Sequence, residues 1–132
     1  MLGFGQLFNP IFMKSFNQVF LIGHLASDPE SRQTPTGKLV VNFPLATNER
    51  WISKTGEKKE KVDFHRIIAW EKLAETVQKY LKKGSAVFIG GRLSNHSYED
   101  KNGIKRFTTE IIASDLNILT FKTKEADKAS AV

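Results

Sequence analysis

From Lys38 to Leu45 the chain alternates. Leu39, Val41, Phe43 and Leu45 are apolar, and Lys38, Asn42 and Pro44 lie among the positions between them. Strand side chains point to opposite faces in turn, so this spacing predicts a strand over 38–50 with its apolar face inward. Pro44 has no N–H for a ladder and must sit at an edge or a bulge. A further alternating stretch, Val62–Trp70, has an unusual outer set. Val62, Phe64, Arg66, Ile68 and Trp70 share one face; Asp63, His65, Ile67 and Ala69 share the other. A cation between two large rings admits two readings. Phe64 and Trp70 can be core residues, with Arg66 snorkelling to water from an edge. Alternatively the face is open, bases stack on the rings, and Arg66 meets phosphate or a base face.

Around these two stretches the other elements follow. Phe16–Leu25 is apolar on both faces and predicts a first strand, bent or bulged at Gly23. Ala26–Gly37, with Asp28, Pro29, Pro35 and Gly37, predicts a loop. Trp51–Lys61 predicts a hairpin loop turning at Thr55-Gly56. Glu71–Lys83 predicts a short helix, with Leu73, Val77, Tyr80 and Leu81 in one stripe and Gly84 as its left-handed cap. Ser85–Leu93 predicts a strand in which Gly90-Gly91 permits strong coiling. Ser94–Arg106 predicts a long hairpin with Asn102-Gly103 at its tip, and Phe107–Leu119 the last strand.

The order strand, strand, strand, helix, strand, strand is that of an all-β, five-stranded oligonucleotide-binding (OB) Greek-key barrel. Its one short helix lies between strands three and four, and its hairpin loops are long. Other small barrels and α+β folds share the gross pattern. Residues 16–121 form the expected domain. Residues 1–15, broken by Gly3, Gly5 and Pro10, read as a poorly ordered extension in which Met13 is an alternative start, and 122–132 as a disordered tail.

Composition narrows the chemistry. A length of 132 residues fits one domain, and a net charge of +6 favours an anionic partner. Without cysteine there is no disulfide or Cys-based zinc site. No apolar run reaches the roughly 18 residues that span a bilayer. His24, His65 and His96 are scattered without metal-ligand spacing, and Asp28 and Glu30 fall in a turn. No catalytic residue, metal or cofactor is therefore expected. A lysine run such as Lys54, Lys58, Lys59 and Lys61 is ordinarily a solvated loop, but Trp51 beside it has little core to pack on and suits binding.

Several stretches are recognisable together. They are Asn17–Leu25 followed by Asp28-Pro29-Glu30, then Leu45-Ala46-Thr47, Phe64-His65-Arg66, Lys72-Leu73-Ala74-Glu75 and Tyr80-Leu81-Lys82-Lys83-Gly84. In this order, from about Asn17 to Leu119, the chain resembles the bacterial and mitochondrial single-stranded DNA-binding proteins. The resemblance implies a homotetramer of OB folds that coats single-stranded DNA in replication, recombination and repair. Trp51, Phe64, Trp70 and Tyr98 match the family's stacking positions, and Lys54, Arg66, Lys72 and Lys83 its basic positions. His65 matches a position used at the subunit interface; an inward-facing, satisfied histidine is the other reading.

The chain also departs from the family pattern. Ser94, His96 and Ser97 stand where arginine or lysine is frequent, and Glu71 stands where glycine is usual, beside Trp70. The printed sequence closes on Lys128-Ala129-Ser130-Ala131-Val132 in place of an acidic tip, so acidic-tail partners are not expected to dock in the usual way. Bacterial cytoplasm and nucleoid is the expected location, with the mitochondrial matrix as the alternative. An RNA-binding module and a primosome-type adaptor on the same fold are the competing functions.

Overall fold

The computed structural model describes residues 14–120. The strands are β1 (Val19–Leu25), β2 (Glu30–Gln33), β3 (Leu39–Ile52), β4 (Lys58–Trp70), β5 (Ala86–Glu99) and β6 (Lys105–Ile118). One helix, α1 (Glu71–Tyr80), separates β4 from β5. The sheet runs β1-β5-β6-β4-β3-β2, and a further pairing of β1 with β3 closes it. The closed circuit β1-β5-β6-β4-β3 is an OB barrel, with β2 lying on β3 outside it. Its neighbours are antiparallel except β4 and β6, which meet in parallel through Ile67↔Ile111 and Ile68↔Ile112.

The alternation in β3 does what its spacing requires. Val41, Phe43 and Leu45 are buried and meet Ile67 and Ala69 of β4, Val87 and Ile89 of β5, and Ile111 and Ala113 of β6. Helix α1 adds Ala74 and Val77, and Leu81 follows it into the same cluster. Each buried Val, Leu or Ile contributes about 1.5–3 kcal/mol, which sets the register of every strand that supplies one.

Two positions let the backbones close up. A side chain on Gly23 would strike the carbonyl oxygen of Ala46, and one on Gly91 that of Ile112. The β5–β6 register shifts between Gly90 and Gly91, the pair read from the sequence as permitting strong coiling. At Pro44 the carbonyl accepts the Ala26 N–H at 2.9 Å, so its nitrogen faces the break between β1 and β2. No rung is lost there.

The structure departs from the sequence reading in several ways. Glu30–Gln33 is a strand inside the stretch read as a loop; all four residues are exposed, so backbone pairing to Leu39–Asn42 forms it without any apolar alternation. β1 starts at Val19 and is not covered on both faces, because Phe20 and Ile22 point into solvent. Trp51 belongs to β3, opposite Lys59; only 53–57 turn, with the Gly56 N–H on the Ser53 carbonyl and φ of 85° at Gly56. Likewise β5 runs to Glu99 and β6 starts at Lys105, so the long hairpin is paired ribbon almost to its tip. α1 ends at Tyr80, which is exposed and leaves the apolar stripe to Leu73, Ala74, Val77 and Leu81. Beyond it, Gly84 takes φ of 90° and donates its N–H to the Leu25 carbonyl at 2.8 Å. Apart from Lys14 and Ser15, the extension read over 1–15 lies outside the described residues, as does the tail from 122.

Candidate nucleic-acid interface

Beyond the barrel, β3–β4 and β5–β6 continue as two-stranded arms. Pairing is unbroken from Val40↔Trp70 to Ile52↔Lys58, and from Gly91↔Ala113 to Glu99↔Lys105. Alternation then assigns faces. On β4, Ile67 and Ala69 point into the core, so Phe64, Arg66 and Trp70 point out. Ile111 of β6 is opposite Ile67, so Glu110 shares the outward face with Arg66; Ser94, opposite Glu110, places His96 and Tyr98 there too. One outer face of β4-β6-β5 thus carries Phe64, Arg66, Trp70, Glu110, His96 and Tyr98.

The rings on this face are open. Phe64 is 67 % exposed, Trp70 39 % and Tyr98 52 %, so the reading that buries Phe64 and Trp70 in the core fails. Ile68, between Arg66 and Trp70, is the exception at 8 %. Trp51 is 46 % exposed, but its register puts it on the opposite face of its arm from Phe64 and Trp70. It lines an open cleft with Arg50, Ile52, Lys58, Lys59 and Glu60.

The cations are arranged less simply than their number suggests. Lys54 sits in the β3–β4 turn and Lys72 in the first turn of α1, two residues from Trp70; both are exposed. Lys83 follows α1, and its backbone N–H is held by Asp28 Oδ1 at 2.8 Å. In the arm, Lys59 pairs with Glu57 at 2.9 Å and Lys61 with Asp63 at 3.5 Å. Such exposed pairs contribute about 0–1 kcal/mol and exchange readily for another anion. Arg66 is engaged as well: its Nε lies 2.8 Å from Glu110 Oε2, and the other carboxylate oxygen lies 3.0 Å from His96 Nε2. His65 is part-buried, with Nε2 2.9 Å from Thr47 Oγ1.

The sequence did not disclose Glu110 as Arg66's partner, because the parallel β4–β6 contact joins strands with no turn between them. It also missed Phe107, which is exposed with Lys105 Nζ 5.5 Å from its ring centre. Asp100 shapes the far end of the β5–β6 arm. Its Oδ1 accepts the Asn102 and Ile104 N–H groups at 2.9 and 3.0 Å, and Oδ2 faces Arg106 Nε at 2.9 Å. The Ile104 N–H, then Arg106, then the Asn102 N–H hold this carboxyl below the usual carboxylate range.

Residues 16–119 match the single-strand binding protein family. The chain belongs to that family. Among single-strand binding relatives, it is 47 % identical over 110 residues to single-stranded DNA-binding protein 1 of Chlorobaculum tepidum, covering 83 % of this chain and 68 % of that one. Over 105 residues it is 42 % identical to the single-stranded DNA-binding protein of Neisseria meningitidis serogroup A, covering 80 % of this chain and 60 % of that one. The chain therefore spans about two thirds or less of the length of these relatives. Among solved structures, it resembles a Plasmodium falciparum SSB in complex with ssDNA, with a TM-score of 0.75 and 35 % identity. That match covers 82 % of this chain and 98 % of the other. A deletion mutant of the single-stranded DNA-binding protein of Thermus aquaticus gives a TM-score of 0.69 at 30 % identity, covering 81 % and 52 %.

Proposed function

We propose that this chain binds and coats single-stranded DNA without base specificity, in replication, recombination and repair. The observation that carries the reading is the outward face of β4, where Phe64 and Trp70 stand open on either side of Arg66, with Tyr98 on the neighbouring arm. Every base has a π face, so each stacked base contributes about 1–3 kcal/mol whatever its identity. A duplex hides those faces. Lys54, Arg66, Lys72 and Lys83 displace counterions from the phosphates, so affinity falls as salt rises. Trp51 stacks from the other face of its arm, which makes the strand bend around the arm rather than lie flat. Passive coating requires no reacting group and no cofactor.

The proposal extends to assembly and place. Phe20 and Ile22 on β1 leave an apolar strip uncovered, which supports self-association into a homotetramer. His65 is assigned near that subunit interface, braced by Thr47. The bacterial relatives support a cytoplasmic, nucleoid-associated protein.

Titration of tryptophan fluorescence with oligothymidylate, a matched duplex and oligouridylate tests the reading. Strong quenching by oligothymidylate with weak response to duplex is expected. No response to oligothymidylate overturns it, and equal affinity for the RNA favours an RNA-binding module. Light scattering of the free protein at four chain masses is expected; a monomer overturns the assembly.

A further inference from the structure

Glu110 is a carboxylate on the outward face of β6, beside Arg66 and the open rings. Its side chain is only 17 % exposed, and an ion so far withdrawn from water needs partners. It has two, on two different strands: Arg66 of β4 at 2.8 Å and His96 of β5 at 3.0 Å. Ser94 Oγ also approaches His96 Nε2, at 3.3 Å. With a neutral imidazole the trio sums to zero charge. An approaching phosphate then meets an arginine whose Nε is already engaged by a carboxylate.

We propose that Glu110 is a built-in competitor for the phosphate site on Arg66, and that protonation of His96 relieves it, so that single-strand affinity rises on acidification. A protonated imidazole makes both partners of the Nε2–H···Oε1 contact ionic and shares the carboxylate between two cations. The trio then carries one net positive charge, beside the rings where the strand lies. The other charged or titratable groups on this outer face of β5 and β6 are Arg92, Tyr98, Arg106 and, past the bulge, Asp115. Arg92 stays cationic throughout, and Arg106 is committed to Asp100. Between Leu93 and Tyr98 the β5 arm has no lysine or arginine, so His96 is its only switchable cation.

This inference rests on the proposed single-strand binding. Affinity for oligothymidylate is measured at pH 7.5 and 5.5, which bracket the ordinary histidine titration near pH ~6.5. The wild-type chain, H96Q and E110Q are compared over a salt series. One added cation steepens the single-strand salt slope by about 0.7, which is roughly a fivefold gain at ~0.1 M salt. The wild type is expected to gain that factor at pH 5.5, H96Q to lose the gain, and E110Q to bind more tightly than wild type already at pH 7.5. H96Q keeps His24 and His65, so H96Q gaining as much as the wild type overturns the proposal. So does equal wild-type affinity at the two pH values, or E110Q binding no better than wild type at pH 7.5. Absence of binding at either pH overturns the underlying single-strand reading instead.

Discussion

Gly23 on β1 lies directly against the carbonyl of Ala46 on β3, at the place where the barrel closes. Only a hydrogen fits between them. Gly23→Ala forces the two strands apart or breaks the short β1–β3 pairing. A cost of about 1–3 kcal/mol is expected, the range for overpacking, measured as a lower urea midpoint with unchanged slope. A midpoint within error of the parent's contradicts the close approach.

Phe64 and Trp70 share a face but lie six residues apart, roughly 20 Å along a strand. They are too far apart to hold one base between them. Phe64→Ala and Trp70→Ala should each weaken single-strand binding by about 1–3 kcal/mol, and the double variant should show the sum within about 0.5 kcal/mol. Anisotropy titrations on the three variants check this. Strong non-additivity would mean that the rings act on a common base or through a shared rearrangement.

Glu71 opens α1 with φ of 52°, the left-handed region that an L side chain enters at a cost of about 1–2 kcal/mol. Glycine avoids that cost and loses about 0.5–1 kcal/mol in chain entropy. Glu71→Gly is therefore expected to stabilise the fold by about 0.5–1 kcal/mol, read from denaturant midpoints. Glu71→Gln removes the same charge beside Trp70 without relieving the backbone, and should leave the midpoint where it was. Equal stabilisation by both would put the effect in charge rather than in φ.

Asp100 ties the tip of the β5–β6 arm. Its folded carboxyl is held low, chiefly by the Ile104 N–H and then by Arg106, so the contribution is present above the ordinary carboxylate range. It is lost as pH falls through the depressed folded value. Amide exchange at Asn102 and Ile104, corrected for the intrinsic pH dependence, should accelerate below the ordinary carboxylate range. Asp100→Ala should show that acceleration already at neutral pH. Protection that is indifferent to both changes would show that the tip is held by strand pairing alone.

The barrel was legible because burial writes itself into period two. Val41, Phe43 and Leu45 on one strand and Ile67 and Ala69 on the next need no partner information to be read as inward-facing. The helix was legible from its stripe, although Tyr80 fits that stripe by spacing and lies outside it in space. The arms were misread for a physical reason: they are solvated on both faces, so Ile52, Lys58, His96 and Lys105 carry no alternation that separates ribbon from loop. β2 was invisible on the same ground, since its four residues are all exposed. Of the candidate interface, the rings could be named from the sequence. Their division between two faces of the β3–β4 arm, and the occupation of Arg66 by Glu110, follow from register, which one strand cannot specify alone.

The two seams that complete the barrel are short: His24↔Ala46 and Leu25↔Leu45 on one side, Ile67↔Ile111 and Ile68↔Ile112 on the other. The hairpins beside them are long and closed by tight turns. Local loops cost the least entropy to close, so β3–β4 and β5–β6 zip early, while the parallel seam waits for α1 and β5 to swing round. Truncating Leu25, which is buried at the β1–β3 seam and belongs to neither hairpin, should accordingly hasten unfolding and leave the refolding rate nearly untouched.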